Sequence, residues 1–199
     1  RTFRIAISVT GEYTQYHGGT VNDAMAAINA SMTRVNAIFE VDMAVAFEVI
    51  ANNDTLVFTN PNTDPYSPAN VGTGGAWNTE LQNYLTSSIG NAAYDIGHLF
   101  GASGGGGNAG CIGCVCVDDN PANANDTEKG SAYTSPADGI PEGDTFDVDY
   151  VAHEIGHQMG ANHTWAFNTE GTGVNAEPGS GSTVMAYAGI TGANNVQQN

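Results

Sequence analysis

The strongest constraint on this chain is a run of eleven residues, HEIGHQMGANH from His153 to His163, which holds three of its five histidines. His153 and His157 are i and i+4, so on a helix their imidazoles lie on one face, a turn apart. That separation lets two ring nitrogens reach one Zn²⁺ at ~2.0–2.1 Å. Glu154 follows the first histidine and projects beside the metal position. A carboxylate there can take a proton from a zinc-bound water and later hand it to a leaving amine. Gly160 stands three residues past His157, where glycine can adopt positive φ and turn the chain back. The turn lets His163 supply a third ligand and leaves a fourth position for water. Three neutral imidazoles leave the +2 charge of the ion intact, which draws the pKa of that water toward ~7.

Composition narrows the field of partners. With 199 residues the chain suits one folding unit, and it carries 21 acidic residues against four basic ones, for a net charge of −17. Binding to nucleic acid needs many Lys and Arg to neutralise phosphates, so no nucleic-acid partner is expected. An anionic membrane surface is disfavoured for the same reason, and no segment approaches the ~18 apolar residues that span a bilayer. The acidic excess fits a surface adapted to an extracellular or saline medium, or carboxylates gathered to hold Ca²⁺. For calcium, the loop Asp118-Asp119-Asn120 through Asp126 and Glu128 offers oxygen ligands without EF-hand spacing. Three cysteines, Cys111, Cys114 and Cys116, allow at most one internal bridge. Cys111–Cys116 is preferred over Cys111–Cys114.

Along the chain, residues 3–9 read as a strand with Ile5, Ile7 and Val9 on one face. Thr20 is an N-cap, and Val21, Met25, Ile28, Met32, Val35 and Phe39 make the apolar stripe of a helix. A second strand falls at 43–50 and a polar loop at 59–75. Trp77, Leu81, Tyr84, Leu85 and Ile89 have helical spacing, with Gly90 as a stop. A third strand follows at 93–100. Residues 101–110, six of them glycine, come next. They form either a flexible hairpin tip or a rim that a ligand's backbone can approach. Alternating strands and helices predict an α/β fold, a twisted, mostly parallel sheet covered by helices. His98 reads as a satisfied structural residue in its strand, and His17 as a turn residue without a role.

Downstream, SGSTVMAY from Ser180 to Tyr187 places Met185 in a turn of small residues, 22 positions after His163. With this second element the sequence resembles the metzincin clan of zinc endopeptidases. The segments Val9–Thr20 and Asp95–Phe100 are similar to those of bacterial reprolysin-like proteins, relatives of the adamalysins. Typical adamalysins have Asp immediately after the third histidine. Thr164-Trp165 stands here instead and, like Met185-Ala186-Tyr187, is similar to the pappalysin-like family, the second choice within the clan.

The resemblance implies His153, His157 and His163 as zinc ligands, Glu154 as general base and Met185 as an apolar floor beneath the metal. It implies a single catalytic domain over 1–199, with an upper subdomain over about 1–160 and a smaller, irregular lower one over about 161–199. A rim strand around Asn108, Ala109 and Gly110 would pair with an extended peptide substrate. Tyr187 has two readings: a phenol that binds the metal at rest and then donates to the oxyanion, or a ring packed beside Met185. A pocket walled by 165–190 would select side chains, and its acidic candidates, Glu170 and Glu177, suggest cationic ones. The expected function is a secreted zinc endopeptidase, made with an inhibitory propeptide outside these residues. The alternative is a catalytically inactive binding or adhesion module on the same fold.

Overall fold

The computed structural model describes residues 1–169 and 174–197. Five strands form one sheet in the order β2-β1-β3-β5-β4: β1 Thr2–Val9, β2 Ala46–Val49, β3 Ile96–Phe100, β4 Gly107–Asn108 and β5 Ala132–Thr134. β1 runs parallel to both β2 and β3, and β3 parallel to β5; β4 alone is antiparallel and forms an edge. The helices are α1 Gly11–Tyr16, α2 Val21–Met43, the single turn α3 Ala69–Val71, α4 Trp77–Ser88 and α5 His153–Gln158. A wide helical segment, Thr145–Ala152, runs directly into α5.

Both faces of the sheet are covered, as parallel strands require. Ile5, Ile7 and Val9 of β1, with Ile96 and Phe100 of β3, pack against Ile28, Met32, Val35 and Phe39 of α2 and against Phe146, Val151 and Ile155. On the opposite face Ala6 and Leu99 meet Trp77, Leu81 and Leu85 of α4. Each fully buried Leu, Ile or Phe of this kind contributes ~1.5–3 kcal/mol relative to exposure. The expected stripe of α2 is therefore the buried one. Its N-cap is Thr20, whose hydroxyl accepts from Asp23 N–H at 3.2 Å. Ala44 ends the helix in the left-handed region at φ +53°.

Where strand pairing stops, side-chain amides continue it. β2 pairs with β1 only as far as Ile5. Asn53, fully buried, then accepts from Ile7 N–H and donates to Ile7 C=O, both at 2.8 Å. Asn36 of α2 does the same for Phe47 of β2, at 2.8 and 2.9 Å. A buried backbone group left without such a partner costs ~1–3 kcal/mol.

α5 is tied to the sheet through polar groups. Gln158 donates to Gly97 C=O at 2.9 Å, and its Oε1 lies 3.0 Å from Nδ1 of His98. The other ring nitrogen of His98 lies 2.8 Å from the Thr134 hydroxyl of β5. This fully buried residue is structural, as the sequence suggested. The glycine-rich 101–110 segment carries β4 and is thus a sheet edge rather than only a hairpin tip. The structure joins Cys111 to Cys114, not to Cys116. Cys116 is bound through its backbone N–H to Asp95 C=O at 2.9 Å, at the entry to β3, and its thiol is exposed.

Burial lowers the His98 pKa to about 4 from an ordinary 6.5, against the partly opposing bond to Gln158. Between these values the folded chain binds fewer protons than the unfolded one. Stability therefore falls as pH drops through that window and returns toward neutrality. In paired urea unfolding at pH 7 and pH 5, His98→Gln should lose less stability on acidification than the parent at equal metal content. An identical loss in both proteins would contradict this assignment.

Candidate metal centre and cleft

α5 ends in a hydrogen-bonded glycine turn that places the third histidine. Ala161 N–H returns to Gly156 C=O at 3.0 Å and Gly160 N–H to His157 C=O at 2.9 Å, with Gly160 at φ +108°. This is the Schellman arrangement, which needs a left-handed residue after the cap. The reversal carries His163 back to the helix face that bears His153 and His157.

The three Nε2 atoms converge. His153 and His157 lie 3.1 Å apart, His153 and His163 3.0 Å, and His157 and His163 3.1 Å. Nδ1 of His153 is 2.6 Å from Val184 C=O, and Nδ1 of His157 is 2.7 Å from Ala161 C=O. A carbonyl only accepts, so both Nδ1 atoms carry the proton and both Nε2 atoms present lone pairs. Lone pairs that face each other at this distance repel unless a cation lies among them. Donors bound tetrahedrally at ~2.0–2.1 Å are spaced ~3.3 Å apart, so the set fits Zn²⁺. Burial, and then the neighbouring His157 and His163, lower the His153 pKa to about 4, partly offset by the Val184 bond. The ring stays neutral, the form that ligates. Among the described residues one other group of metal-capable side chains gathers, Cys111, Cys114 and Glu128. Its two sulfurs are bonded to each other and offer no thiolate.

Glu154 is 6% exposed beside this cluster. Burial raises its carboxyl to about 8, against a bond from the backbone N–H of Ala109. A bound dication would pull it back down. The side chain rests on β4: a Cβ at Gly107 would come within 2.5 Å of Glu154 Cγ and Oε1. Glycine is required there. Gly156 has the same importance on the other side, because a Cβ would stand 2.4 Å from Met185 Sδ. Sulfur thus packs close beneath the helix that carries the histidines. Val184 and Ala161, whose carbonyls orient the rings, carry no side-chain signal and were not legible in the sequence.

Tyr187 lies across the centre. Its ring centroid is 4.6 Å from that of His163 and 5.9 Å from that of His153, within a cluster that includes Trp165 and Phe167. Two cavities flank it and share Gly107, Glu154 and Tyr187. One, of about 440 Å³, lies toward Asn108–Ile112 and touches His157 and His163. The other, of about 350 Å³, lies toward Gly106 and includes His153, Asp149, Thr145 and Ile190. The predicted rim residues Asn108, Ala109 and Gly110 all border the first cavity. The Asn108 side chain also accepts from Gly110 N–H at 2.6 Å.

Of the two acidic candidates for the pocket, Glu170 lies outside the described residues. Glu177 lines neither cavity. Its carboxylate instead accepts from the hydroxyls of Thr164 and Thr183, both at 2.5 Å, and from Ser182 N–H at 2.7 Å. Burial opposes ionisation, but these donors prevail and lower its pKa to about 2. Glu177 therefore holds the Met185 turn to Thr164. The cavity carboxylate that sequence reasoning missed is Asp149, four residues before His153. Partial burial raises its pKa.

Among the described residues no helix is long and apolar enough to cross a membrane. No curated protein matches the chain. Its full length, residues 1–199, matches the family described as Metallo-peptidase family M12B, reprolysin-like, whose members normally use zinc. Peptidases of this kind act on proteins or peptides, and the five-stranded, mostly parallel sheet with covering helices agrees with a metzincin-type catalytic domain. The chain belongs to the reprolysin-like M12B metallopeptidases.

Proposed function

We propose that the chain is a secreted zinc endopeptidase, with His153, His157 and His163 as ligands and Glu154 as general base. The observation that carries this reading is the convergence of three imidazole nitrogens, two with their protons committed outward, beside a buried carboxylate. A bound Zn²⁺ supplies Lewis acidity, polarising a peptide carbonyl and acidifying water. The Glu154 carboxylate accepts a proton from the attacking water and returns it to the departing amine. Ala109 N–H fixes the orientation of that carboxylate, and Gly107 leaves room for it. Tyr187 donates its phenolic hydrogen to the oxyanion, a role its place across both cavities favours. β4, with its outer edge unpaired among the described strands, binds the substrate backbone along Asn108, Ala109 and Gly110. Met185 is the floor of the centre, at the boundary between the layered part and the irregular chain after Gly160.

Secretion is supported by the acidic composition and by the Cys111–Cys114 bridge, which persists in oxidising surroundings. An inhibitory propeptide would restrain such an enzyme before release. The inactive adhesion module is disfavoured because none of the four polar residues of the centre is replaced.

Calcium has a specific place in this reading. Asp118 pairs with Lys129, which removes it from the expected ligand set. Asp119 is 5% exposed, and its Oδ1, like Oδ1 of Asp126, is buried with no hydrogen-bond partner. Burial raises the Asp119 pKa, the Thr86 hydroxyl opposes this, and Asp126 beside it raises it further. A Ca²⁺ between the two carboxylates relieves both burial and repulsion.

Digestion of a denatured protein should proceed with the zinc-loaded chain and stop with a zinc chelator. Glu154→Gln should keep its zinc and lose ~10²–10⁴-fold in kcat. Tyr187→Phe should lose ~10²-fold in kcat with KM little changed. Proteolysis that survives Glu154→Gln would remove the mechanism, and zinc-loaded protein that cuts nothing would favour the adhesion module. A calcium-selective chelator, with zinc content constant, should lower Tm by about 5 °C or more if calcium was present at ~100 times Kd. An unchanged Tm would contradict the calcium site.

A further inference from the structure

The cavity on the His153 side carries a charge that nothing in the chain uses. Its two carboxylates are Glu154, at the reacting centre, and Asp149, farther out. No Lys or Arg lines it. The basic residues that form ion pairs do so elsewhere: Arg4 with Asp95, Arg34 with Asp144 and Asp147, and Lys129 with Asp118. Among the described residues no hydrogen bond or ion pair reaches the Asp149 carboxylate. The same cavity is lined by the hydroxyl-bearing Thr145 and Thr183 and the apolar Ala186, Ala188 and Ile190. That combination suits a long side chain with an apolar stem and a cationic head. The net charge of −17 draws cationic peptides toward the surface as a whole.

The strand direction says which substrate residue arrives there. β4 runs from Gly107 toward Ile112, so a peptide pairing antiparallel to it travels from the Ile112 side to the Gly106 side. Glu154 stands between the two cavities. The residue that follows the scissile bond therefore falls over the cavity of Asp149.

We propose that this cavity takes a lysine or arginine side chain, that Asp149 selects it, and that the chain consequently cleaves on the N-terminal side of basic residues. This rests on the peptidase reading above and adds a substrate class to it. Glu170 and Glu177, the acidic residues the sequence singled out, are not needed.

The test is a set of peptides identical except for Arg, Lys, Leu or Glu after the scissile bond, each scored by kcat/KM with the zinc-loaded chain. Arg and Lys should exceed Leu by about tenfold, and Glu should be poorest. Asp149→Asn should shrink the Arg-to-Leu ratio about tenfold, and Asp149→Lys should favour Glu. The ratio within one preparation is independent of how much of a variant folds. Raising ionic strength should narrow the parent's ratio. Cleavage with Leu preferred, or an Arg-to-Leu ratio untouched by Asp149→Asn, would overturn the inference while leaving the peptidase reading intact. Failure to cut any peptide would overturn both.

Discussion

Two imidazole lone pairs, on Nε2 of His153 and His157, face each other 3.1 Å apart with Nε2 of His163 equally close to both, an arrangement that a cation bound among them stabilises. With Nδ1 of His153 and His157 bound to carbonyls, neither ring can rotate or change tautomer without losing a hydrogen bond. Burial makes protonation of His153 unfavourable as well. A dication converts the repulsion into coordination, so folding prepares a site for one class of occupant. The neighbouring parts of the structure serve this geometry. Gly160 permits the reversal, Gly156 admits the Met185 sulfur, and Gly107 admits Glu154.

The framework fixes the helix that carries the centre by polar contacts rather than by apolar packing alone. Ile155 and Val151 enter the core beside α2, but the orientation of α5 against β3 and β5 comes from Gln158 and His98. Buried hydrogen bonds are directional, and a fixed direction is what a metal site needs from its support. The lower wall is held likewise: Glu177 gathers Thr164, Thr183 and Ser182 around one carboxylate and joins the segment after the third histidine to the Met185 turn.

Much of this was legible in the residues. The eleven-residue histidine run specified a helix, a turn and three ligand candidates, because i and i+4 spacing and a left-handed glycine are local properties. The stripes of α2 and α4 and strands β1 and β3 were readable from apolar period. Strands β4 and β5 were not, because two or three residues beside many glycines carry no period. α1 was missed because its six residues hold no apolar stripe. Cysteine spacing favoured Cys111–Cys116, but the bridge is Cys111–Cys114, and Cys116 is bound through its backbone to Asp95 at the entry to β3, a tertiary contact that spacing does not reveal. Glu177 looked like a pocket charge because its engagement by Thr164, Ser182 and Thr183 depends on how the chain folds back there. Asp149 was hidden inside the histidine helix's own approach.

The geometry of the site requires that the three rings bind one metal ion. X-ray absorption at the zinc edge, on chain purified without added chelator and analysed for metal content, tests it most directly. One zinc per chain bound by three imidazole nitrogens at ~2.0–2.1 Å is expected, with loss of that signal when His157 is replaced by Ala. A substoichiometric zinc content, or a coordination sphere of sulfur or oxygen atoms unaffected by His157→Ala, would contradict it.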